Sequence, residues 1–250
     1  MKIGLIGYGK AGKAVARVLA NDSRFQLQWI IRREAKTNEH MEEFPAIPIY
    51  GMQTLDLADF LEKNKIDAIV DFSDEASVHW YGNEIANRQV IIVSAISNYS
   101  AEGLTLLQKL GEKTRVMYSP NITLGINFLM LAAKLLRKVA PFADVEIIEQ
   151  HFKEKQDVSG TAKKIAQSLN VNEEKITALR LGGIVGHHEV IFGFPHQTLR
   201  ITHDSIRREA FGTGAAYALT ILNQVPIGFY TYEQLLQSII EKEFANPTHN

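Results

Sequence analysis

The sequence predicts an α/β fold, with an N-terminal Rossmann domain on a parallel sheet and a smaller α+β domain on an open mixed sheet. Three observations lead to this prediction. An apolar stretch runs into a Gly-x-Gly-x-x-Gly motif, strands and helices alternate over residues 1–120, and the alternation stops after Pro120. Strands separated by helical patterns indicate a parallel sheet with right-handed crossovers.

The first half alternates short apolar strands with amphipathic helices. The predicted strands are Ile3–Ile6, Phe25–Ile31, Ala68–Phe72, Val90–Val93 and Val116–Tyr118. The predicted helices are Ala11–Ala20, Leu55–Lys63, Ala76–Asn87 and Ala101–Leu110. The segment between Glu34 and Met52 is polar and interrupted by proline.

After Pro120 the pattern becomes that of an α+β domain. A long apolar helix is predicted at Ile126–Val139, followed by strands at Asp144–Gln150, Ile176–Leu181, Glu189–Phe194 and Gln197–His203, with a helix at Thr161–Leu169 among them. Terminal helices are predicted at Phe211–Asn223 and Tyr232–Glu241. We expect residues 1–121 and 213–250 to form one domain and residues 122–212 the other, with a largely antiparallel sheet in the second.

Composition excludes several classes of protein. The 250 residues are 46% hydrophobic and 22% charged, values typical of a globular chain, and the net charge of −1 favours neither nucleic acid nor a membrane surface. No window approaches the roughly 20 apolar residues that a membrane span needs. Because the chain has no cysteine, disulfides and thiolate nucleophiles are excluded. We expect a cytoplasmic protein.

A glycine motif, Gly7-Tyr8-Gly9-Lys10-Ala11-Gly12, follows the first predicted strand and opens the first predicted helix. In a dinucleotide-binding unit the first glycine permits a tight turn, the second lets the backbone approach a pyrophosphate, and the third allows close packing of helix on strand. The helix then directs its free N–H groups at the phosphates. We therefore expect these six residues to bind a nicotinamide dinucleotide. The alternative is a glycine-rich turn without a ligand.

Two arginines end the second predicted strand, where an NAD-binding protein usually has an acidic residue. Arg32 and Arg33 suit a ribose 2′-phosphate, and nothing acidic at that point would hold a free 2′-hydroxyl. This favours NADPH, with NADH as the alternative. The arginines could also be a solvated pair that closes a strand.

Groups suited to acid–base chemistry are concentrated after Glu149. His151 can give a proton near neutral pH, Lys155 supplies a cation, and Ser159-Gly160-Thr161 precedes a helical run and so forms an anion site at a helix start. Such a cluster suits a small carboxylate substrate, although a charged loop before a capped helix has the same composition. The adjacent His187 and His188 point to opposite faces of a strand, so we expect no metal site there.

These motifs resemble the bacterial 4-hydroxy-tetrahydrodipicolinate reductase family, formerly called dihydrodipicolinate reductase. The family shows Glu-x-His-His-x-x-Lys-x-Asp-x-Pro-Ser-Gly-Thr-Ala where this chain has Glu149 to Ala162. Further matching segments are the glycine motif, Asp71-Phe72-Ser73, Pro120 to Asn127, Arg180 to His188, and Ile201-Thr202-His203 with Arg208 and Phe211. The resemblance covers nearly the whole chain.

The resemblance implies a homotetramer, assembled through the second domain, that uses NAD(P)H to reduce 4-hydroxy-tetrahydrodipicolinate in lysine and diaminopimelate biosynthesis. It implies that His151 is the proton donor and that Lys155 assists catalysis and faces the dicarboxylate substrate. The expected substrate-binding residues are Lys155, Ser159, Gly160 and Thr161. Further expected cofactor-binding residues are Phe72, Ser73, Ser94, Ala95, Pro120 and Asn121.

The chain departs from the family pattern at three places. Phe152 replaces the second histidine, the proline before Ser159 is absent from a loop one residue shorter, and Ser94-Ala95-Ile96-Ser97 replaces Gly-Thr-Thr-Gly. These departures leave two alternative functions open. One is a related imine reductase with another small carboxylate substrate, and the other is a catalytically silent NADPH-binding module.

Overall fold

The computed structural model describes residues 1–245, which form twelve strands and eight α-helices. The strands are β1 (Lys2–Ile6), β2 (Gln26–Arg32), β3 (Glu39–His40), β4 (Pro48–Gly51), β5 (Ala68–Asp71), β6 (Ile91–Ser94), β7 (Arg115–Tyr118), β8 (Asp144–His151), β9 (Ile176–Arg180), β10 (His187–Phe194), β11 (Gln197–Asp204) and β12 (Gly228–Thr231). The helices are α1 (Lys10–Asn21), α2 (Leu57–Lys63), α3 (Glu75–Asn87), α4 (Ala101–Leu110), α5 (Leu124–Val139), α6 (Gly160–Leu169), α7 (Glu209–Leu222) and α8 (Tyr232–Ala245).

The chain divides into two compact units. Unit 1 comprises Met1–Thr123 and the chain from Phe211 onward, and unit 2 comprises Leu124–Ala210. No helix among residues 1–245 has the length and apolar character that a membrane span requires.

Unit 1 contains an eight-stranded sheet in the order β12-β7-β6-β5-β1-β2-β4-β3. Every neighbouring pair is parallel except β3 with β4. Ile3, Leu5 and Ile6 of the central strand β1 are buried, as a strand covered on both faces requires. The strand order reverses at β1, so a crevice opens at the carboxyl ends of β1, β2 and β5, where open α/β sheets bind ligands.

Three strands of this sheet, β3, β4 and β12, have no counterpart in the sequence prediction. The segment between Glu34 and Met52 contains β3 and β4, and β4 pairs in parallel with β2, with Ile30 opposite Ile49. Pro48 is tolerated because it is the first residue of its strand. At the other edge, β12 pairs with β7. All three strands are short, and β4 and β12 pair with residues far away in sequence, so local periodicity gives little indication of them.

Unit 2 contains a four-stranded sheet in the order β11-β10-β8-β9. The first two pairings are antiparallel and β8 pairs with β9 in parallel, so the sheet is mixed. Helices α5 and α6 cover one face of it. Their apolar side chains form a core with those of the strands: Ile126, Leu129, Ala133, Ile165, Ala166, Ile147, Val190 and Phe192. The predicted fold class is confirmed.

Candidate active site

The glycine motif occupies the turn between β1 and α1, and each glycine meets a different constraint. Gly7 has φ = +92°, and a Cβ there would lie 2.5 Å from the carbonyl carbon of Phe72. A Cβ on Gly12 would lie 2.1 Å from the carbonyl oxygen of Gly7, so helix and strand pack too closely for a side chain. A Cβ on Gly9 would meet no atom of residues 1–245 within 4 Å apart from its chain neighbours and its own helix, which leaves its backbone open to a ligand. These are the properties that a dinucleotide turn requires.

A cavity of ≈ 640 Å³ lies at this turn. Its lining includes seven of the predicted cofactor residues, Gly7, Tyr8, Gly9, Arg32, Arg33, Phe72 and Ser73, together with Glu34, Met52 and Asp74. Lys10, Ala11 and Gly12 continue into α1 and are not part of this lining. The other predicted cofactor residues lie at the carboxyl ends of neighbouring strands. Ser94 is the last residue of β6 and Ala95 follows it, while Pro120 and Asn121 come after β7.

The two arginines face the cavity, and each is paired with a carboxylate. Arg32 donates to Glu39 at 3.1 Å, and Arg33 donates to Asp74 at 2.8 Å. The sequence shows no acidic residue at the end of β2 itself, but the fold brings two there from β3 and from the start of α3. A 2′-phosphate would therefore meet guanidinium groups that already have partners.

Asp71 ends β5 and is completely buried. It accepts hydrogen bonds from the backbone N–H and the hydroxyl of Ser73 and, at 2.8 Å, from the hydroxyl of Tyr81. Burial raises the pKa of Asp71 to about 6, and the bonds from Ser73 counteract part of that effect. Asp71 thus caps the end of β5 and holds the Phe72-Ser73 segment at the edge of the cavity.

In unit 2, His151 ends β8 and is joined to the carboxylate of Glu149. Nδ1 of His151 lies 2.6 Å from Oε2 of Glu149, a residue that is 0% exposed. Arg180 of β9 donates to both carboxylate oxygens, at 2.7 and 2.9 Å, and the backbone N–H of Ser159 donates at 3.0 Å. Burial alone would raise the pKa of Glu149, but these hydrogen bonds outweigh it and lower the pKa to about 2. The carboxylate is therefore ionised at neutral pH.

The Ser159-Gly160-Thr161 segment begins α6. Ser159 is the N-cap, and its hydroxyl accepts from the backbone N–H groups of Thr161 and Ala162 at 3.2 and 3.4 Å. The same hydroxyl lies 2.9 Å from Nε2 of His188. Burial, reinforced by the nearby His151, lowers the pKa of His188 to about 4, so its ring is neutral at pH 7. Ser159 is buried and bonded within the protein, whereas Gly160 is exposed at the helix start.

The remaining predicted site residue of unit 2, Lys155, lies on the loop between β8 and α6. Lys155 is half-buried, and none of the described residues forms a hydrogen bond or salt bridge with its ammonium group. Phe152, where the family shows histidine, is 41% exposed. Ile96, which belongs to another departure from the family pattern, lies in unit 1 and is buried, with 5% exposure.

Sequence reasoning assigned no role to Glu149 or Arg180. The first could have been found from strand periodicity, because residues two apart on a strand share a face and Glu149 stands two before His151. Arg180 is 31 residues from Glu149, and only the pairing of β8 with β9 reveals their contact.

Comparisons with known proteins agree with this architecture. The family models described as "Dihydrodipicolinate reductase, N-terminus" and "Dihydrodipicolinate reductase, C-terminus" match residues 1–122 and 122–236. A 4-hydroxy-tetrahydrodipicolinate reductase from Caldanaerobacter subterraneus subsp. tengcongensis is 32% identical over 92% of this chain and 95% of its own. One from Thermosipho africanus is 29% identical over 95% of this chain and 98% of its own.

Among solved structures, a dipicolinate-bound dihydrodipicolinate reductase from Paenisporosarcina sp. TG-14 superposes with a TM-score of 0.77. It is 23% identical to this protein, and the match covers 92% of this chain and 97% of that one. A DAP dehydrogenase from C. glutamicum shares the fold with a TM-score of 0.59 at 12% identity. The matches confirm both the resemblance that the motifs indicated and the enzyme class that it implies: the chain belongs to the dihydrodipicolinate reductase family.

Proposed function

We propose that the protein reduces 4-hydroxy-tetrahydrodipicolinate to tetrahydrodipicolinate with NAD(P)H, in lysine and diaminopimelate biosynthesis. The observation that carries this proposal is the imidazole of His151, held by an ionised carboxylate on the strand that leads into the Lys155 loop and the start of α6. A proton donor next to a cation and a helix N-terminus suits a small dianion. Membership in the family supports the same reaction.

Unit 1 would bind the dinucleotide. Its pyrophosphate would lie against the open backbone at Gly9 and the start of α1, and Arg32 and Arg33 would face the ribose, a placement that favours NADPH over NADH. When bound, the cofactor supplies the hydride for C4 of the cyclic imine. Phe72 and Ser73, with Ser94, Ala95, Pro120 and Asn121, would line the nicotinamide side.

Unit 2 would bind the substrate. The ammonium of Lys155, which has no partner among residues 1–245, would attract one carboxylate. The exposed start of α6 at Gly160 would receive the other, with Thr161 contributing its side chain, since its backbone N–H already donates to Ser159. Ser159 would act by capping the helix, since its hydroxyl and its N–H are already bonded within the protein. After loss of water from the substrate, His151 would protonate the ring carbon next to the one that receives hydride.

We also propose that the enzyme is a cytoplasmic homotetramer assembled through unit 2. Large apolar side chains are exposed at the end of β9 and in the segment that follows it: Leu179, Leu181 and Val185. Clustered exposed apolar residues mark interaction surfaces. Light scattering on the purified protein tests this assembly state, and a monomer at micromolar concentration would contradict it.

A second candidate function is a related imine reductase with another small carboxylate substrate. Phe152 favours it, because an exposed phenyl group replaces a histidine that could donate a hydrogen bond. A catalytically silent NADPH-binding module would require tight cofactor binding without turnover of any cyclic imine.

The test is an assay coupled to the upstream synthase that follows NADPH oxidation. We expect oxidation that depends on the synthase product and is inhibited by pyridine-2,6-dicarboxylate. Turnover that dicarboxylate does not inhibit would favour the second candidate. Cofactor binding without any oxidation above background would overturn the proposal in favour of the silent module.

A further inference from the structure

The site of unit 2 contains an ion pair whose contacts extend to both predicted catalytic residues. Glu149 and His151 share a face of β8, and Arg180 stands opposite His151 in the parallel pairing of β8 with β9. The carboxylate of Glu149 therefore lies between a guanidinium on the neighbouring strand and the imidazole on its own. Four hydrogen bonds converge on it, from Arg180, Ser159 and His151.

The chemistry of this carboxylate determines which nitrogen of His151 carries a proton. An ionised carboxylate can only accept hydrogen bonds. The contact between Nδ1 of His151 and Oε2 of Glu149, 2.6 Å long, therefore requires a proton on Nδ1. In the neutral imidazole the lone pair must then lie on Nε2, and protonation adds the exchangeable proton there.

Nε2 of His151 is also the nitrogen that remains available. None of the residues 1–245 forms a hydrogen bond with it, and its neighbour is the backbone of Gly186, where a Cβ would lie 3.3 Å away. A proton donor needs one nitrogen anchored and the other open to the substrate. The carboxylate on Nδ1 provides that arrangement.

Arg180 connects Glu149 to the loop that carries Lys155. Its Nε donates to the backbone carbonyl oxygen of Lys155 at 2.7 Å, and its Nη2 donates to that of Asp157 at 2.8 Å. One guanidinium thus holds the carboxylate behind His151 and shapes the loop that carries Lys155. With a planar fork of five donors, arginine can make these contacts together, whereas lysine cannot.

We propose that Glu149 and Arg180 are positioning residues: Glu149 fixes the Nδ1–H form of His151 with Nε2 directed to the substrate, and Arg180 fixes the backbone at Lys155. The catalytic part of this inference rests on the proposed reductase function, while the tautomer is a property of the protein alone. A purely structural ion pair would stabilise unit 2 without deciding the tautomer.

The decisive measurement is ¹⁵N NMR of histidine-labelled enzyme at pH 8, with the His151 signals assigned by their loss in His151→Gln. We expect Nδ1–H in the wild type. The side-chain amide of Glu149→Gln has a single oxygen, which accepts from Arg180 and Ser159. Its N–H group then faces Nδ1 of His151 and donates to it, so we expect the imidazole to change to the Nε2–H tautomer. Arg180→Met is the matched control, because it breaks the same ion pair and leaves the carboxylate on His151.

Steady-state kinetics separate the two roles. Glu149→Gln should lower kcat by about 10–10²-fold, a part of the 10²–10⁴-fold effect of a lost general acid, with the KM for NADPH unchanged. Arg180→Met should keep the Nδ1–H form and raise the KM for substrate by about 10-fold, because the Lys155 loop loses its anchor.

Two results would overturn the inference: Nε2–H in the wild type, or a folded Glu149→Gln variant with unaltered tautomer and kcat. If Glu149→Gln does not fold, the spectra of the wild type and of Arg180→Met still decide the tautomer. A wild type that shows Nδ1–H but no reductase activity would refute the proposed function, and with it the catalytic roles of Glu149 and Arg180, and would leave the tautomer assignment intact.

Discussion

Gly186 lies against the imidazole of His151, and a Cβ added to it would stand 3.3 Å from Nε2. This distance is shorter than most contacts of a real Cβ, so the ring would have to move by a few tenths of an ångström. We expect Gly186→Ala to lower kcat by about 10-fold, because proton transfer depends on the placement of the ring. Gly183→Ala is the control, since a Cβ there would meet no atom within 4 Å in the part of the chain that the structure describes, apart from its chain neighbours. Equal kcat values for both variants would contradict the prediction.

Removing the imidazole itself should have a larger effect. His151→Ala should lower kcat by about 10²–10⁴-fold, the usual cost of a lost general acid, and leave the dissociation constant for NADPH unchanged. Substitution of another histidine, His196→Asn, is the control: His196 is exposed in a turn with φ = +67°, a conformation that asparagine tolerates. An unchanged kcat in His151→Ala would exclude the proposed proton donor.

The paired arginines predict opposite effects of two substitutions on cofactor choice. Arg33→Ala should raise the KM for NADPH about 10-fold and leave the KM for NADH within about 2-fold, since a charge-assisted hydrogen bond contributes roughly 1.5–3 kcal/mol. Asp74→Asn should lower the KM for NADPH, because it releases the Arg33 guanidinium from its pair at 2.8 Å. Parallel changes for both cofactors would argue against a 2′-phosphate contact.

His188 should make the stability of unit 2 fall in mild acid. Burial holds its pKa at about 4, against an ordinary value of 6.5. Between these values the unfolded chain binds a proton that the native state does not, so the free energy of unfolding falls as pH decreases from 6.5 to 4. Urea titrations across this range should show a shallower pH dependence for His188→Asn than for the wild type. An identical slope would contradict the burial of a neutral imidazole.

Asp71 should give the free energy of unfolding of unit 1 the opposite pH dependence. Burial raises its pKa to about 6 from 3.8, so the native state retains a proton that the unfolded chain releases. Its contribution to the free energy of unfolding therefore decreases as pH rises from 3.8 to 6. Asp71→Asn should gain stability relative to the wild type over that interval. Hydrogen exchange of β5 amides at a series of pH values measures this difference, and a constant difference would exclude the shift.

The parts of the fold that follow from local sequence were predictable. Gly7 and Gly12 indicate a turn because the strand and the helix that flank it are adjacent in sequence. Helix α5 could be predicted because its apolar side chains repeat at helical spacing. Strand β4 was not predictable, because Ile49 finds its place only against Ile30, through a pairing that no short window contains. The same holds for β12, whose partner β7 lies more than a hundred residues earlier.

In the candidate site, too, some features could be predicted from the sequence and others could not. The chemistry of His151 and the capping position of Ser159 could be recognised from residue type and spacing. Strand periodicity could also have indicated Glu149 as the partner of His151. The contacts of Arg180 with Glu149 and of Arg33 with Asp74 could not be recognised, because they form only after distant strands and helices have assembled. Residue type indicates which groups can react, and tertiary structure decides which atom of each group is free to do so.

The position of β12 has a consequence for the folding of the protein during its synthesis on the ribosome. The ribosome releases the amino-terminal strands first, yet β7 has no neighbour on its outer side until residues 228–231 emerge, after the whole of unit 2. During that interval a nascent chain presents an unpaired strand edge to other polypeptides. The sheet of unit 1 is therefore complete only after the whole of unit 2 has been synthesised, and a chain that stalls before β12 would expose a template for aggregation.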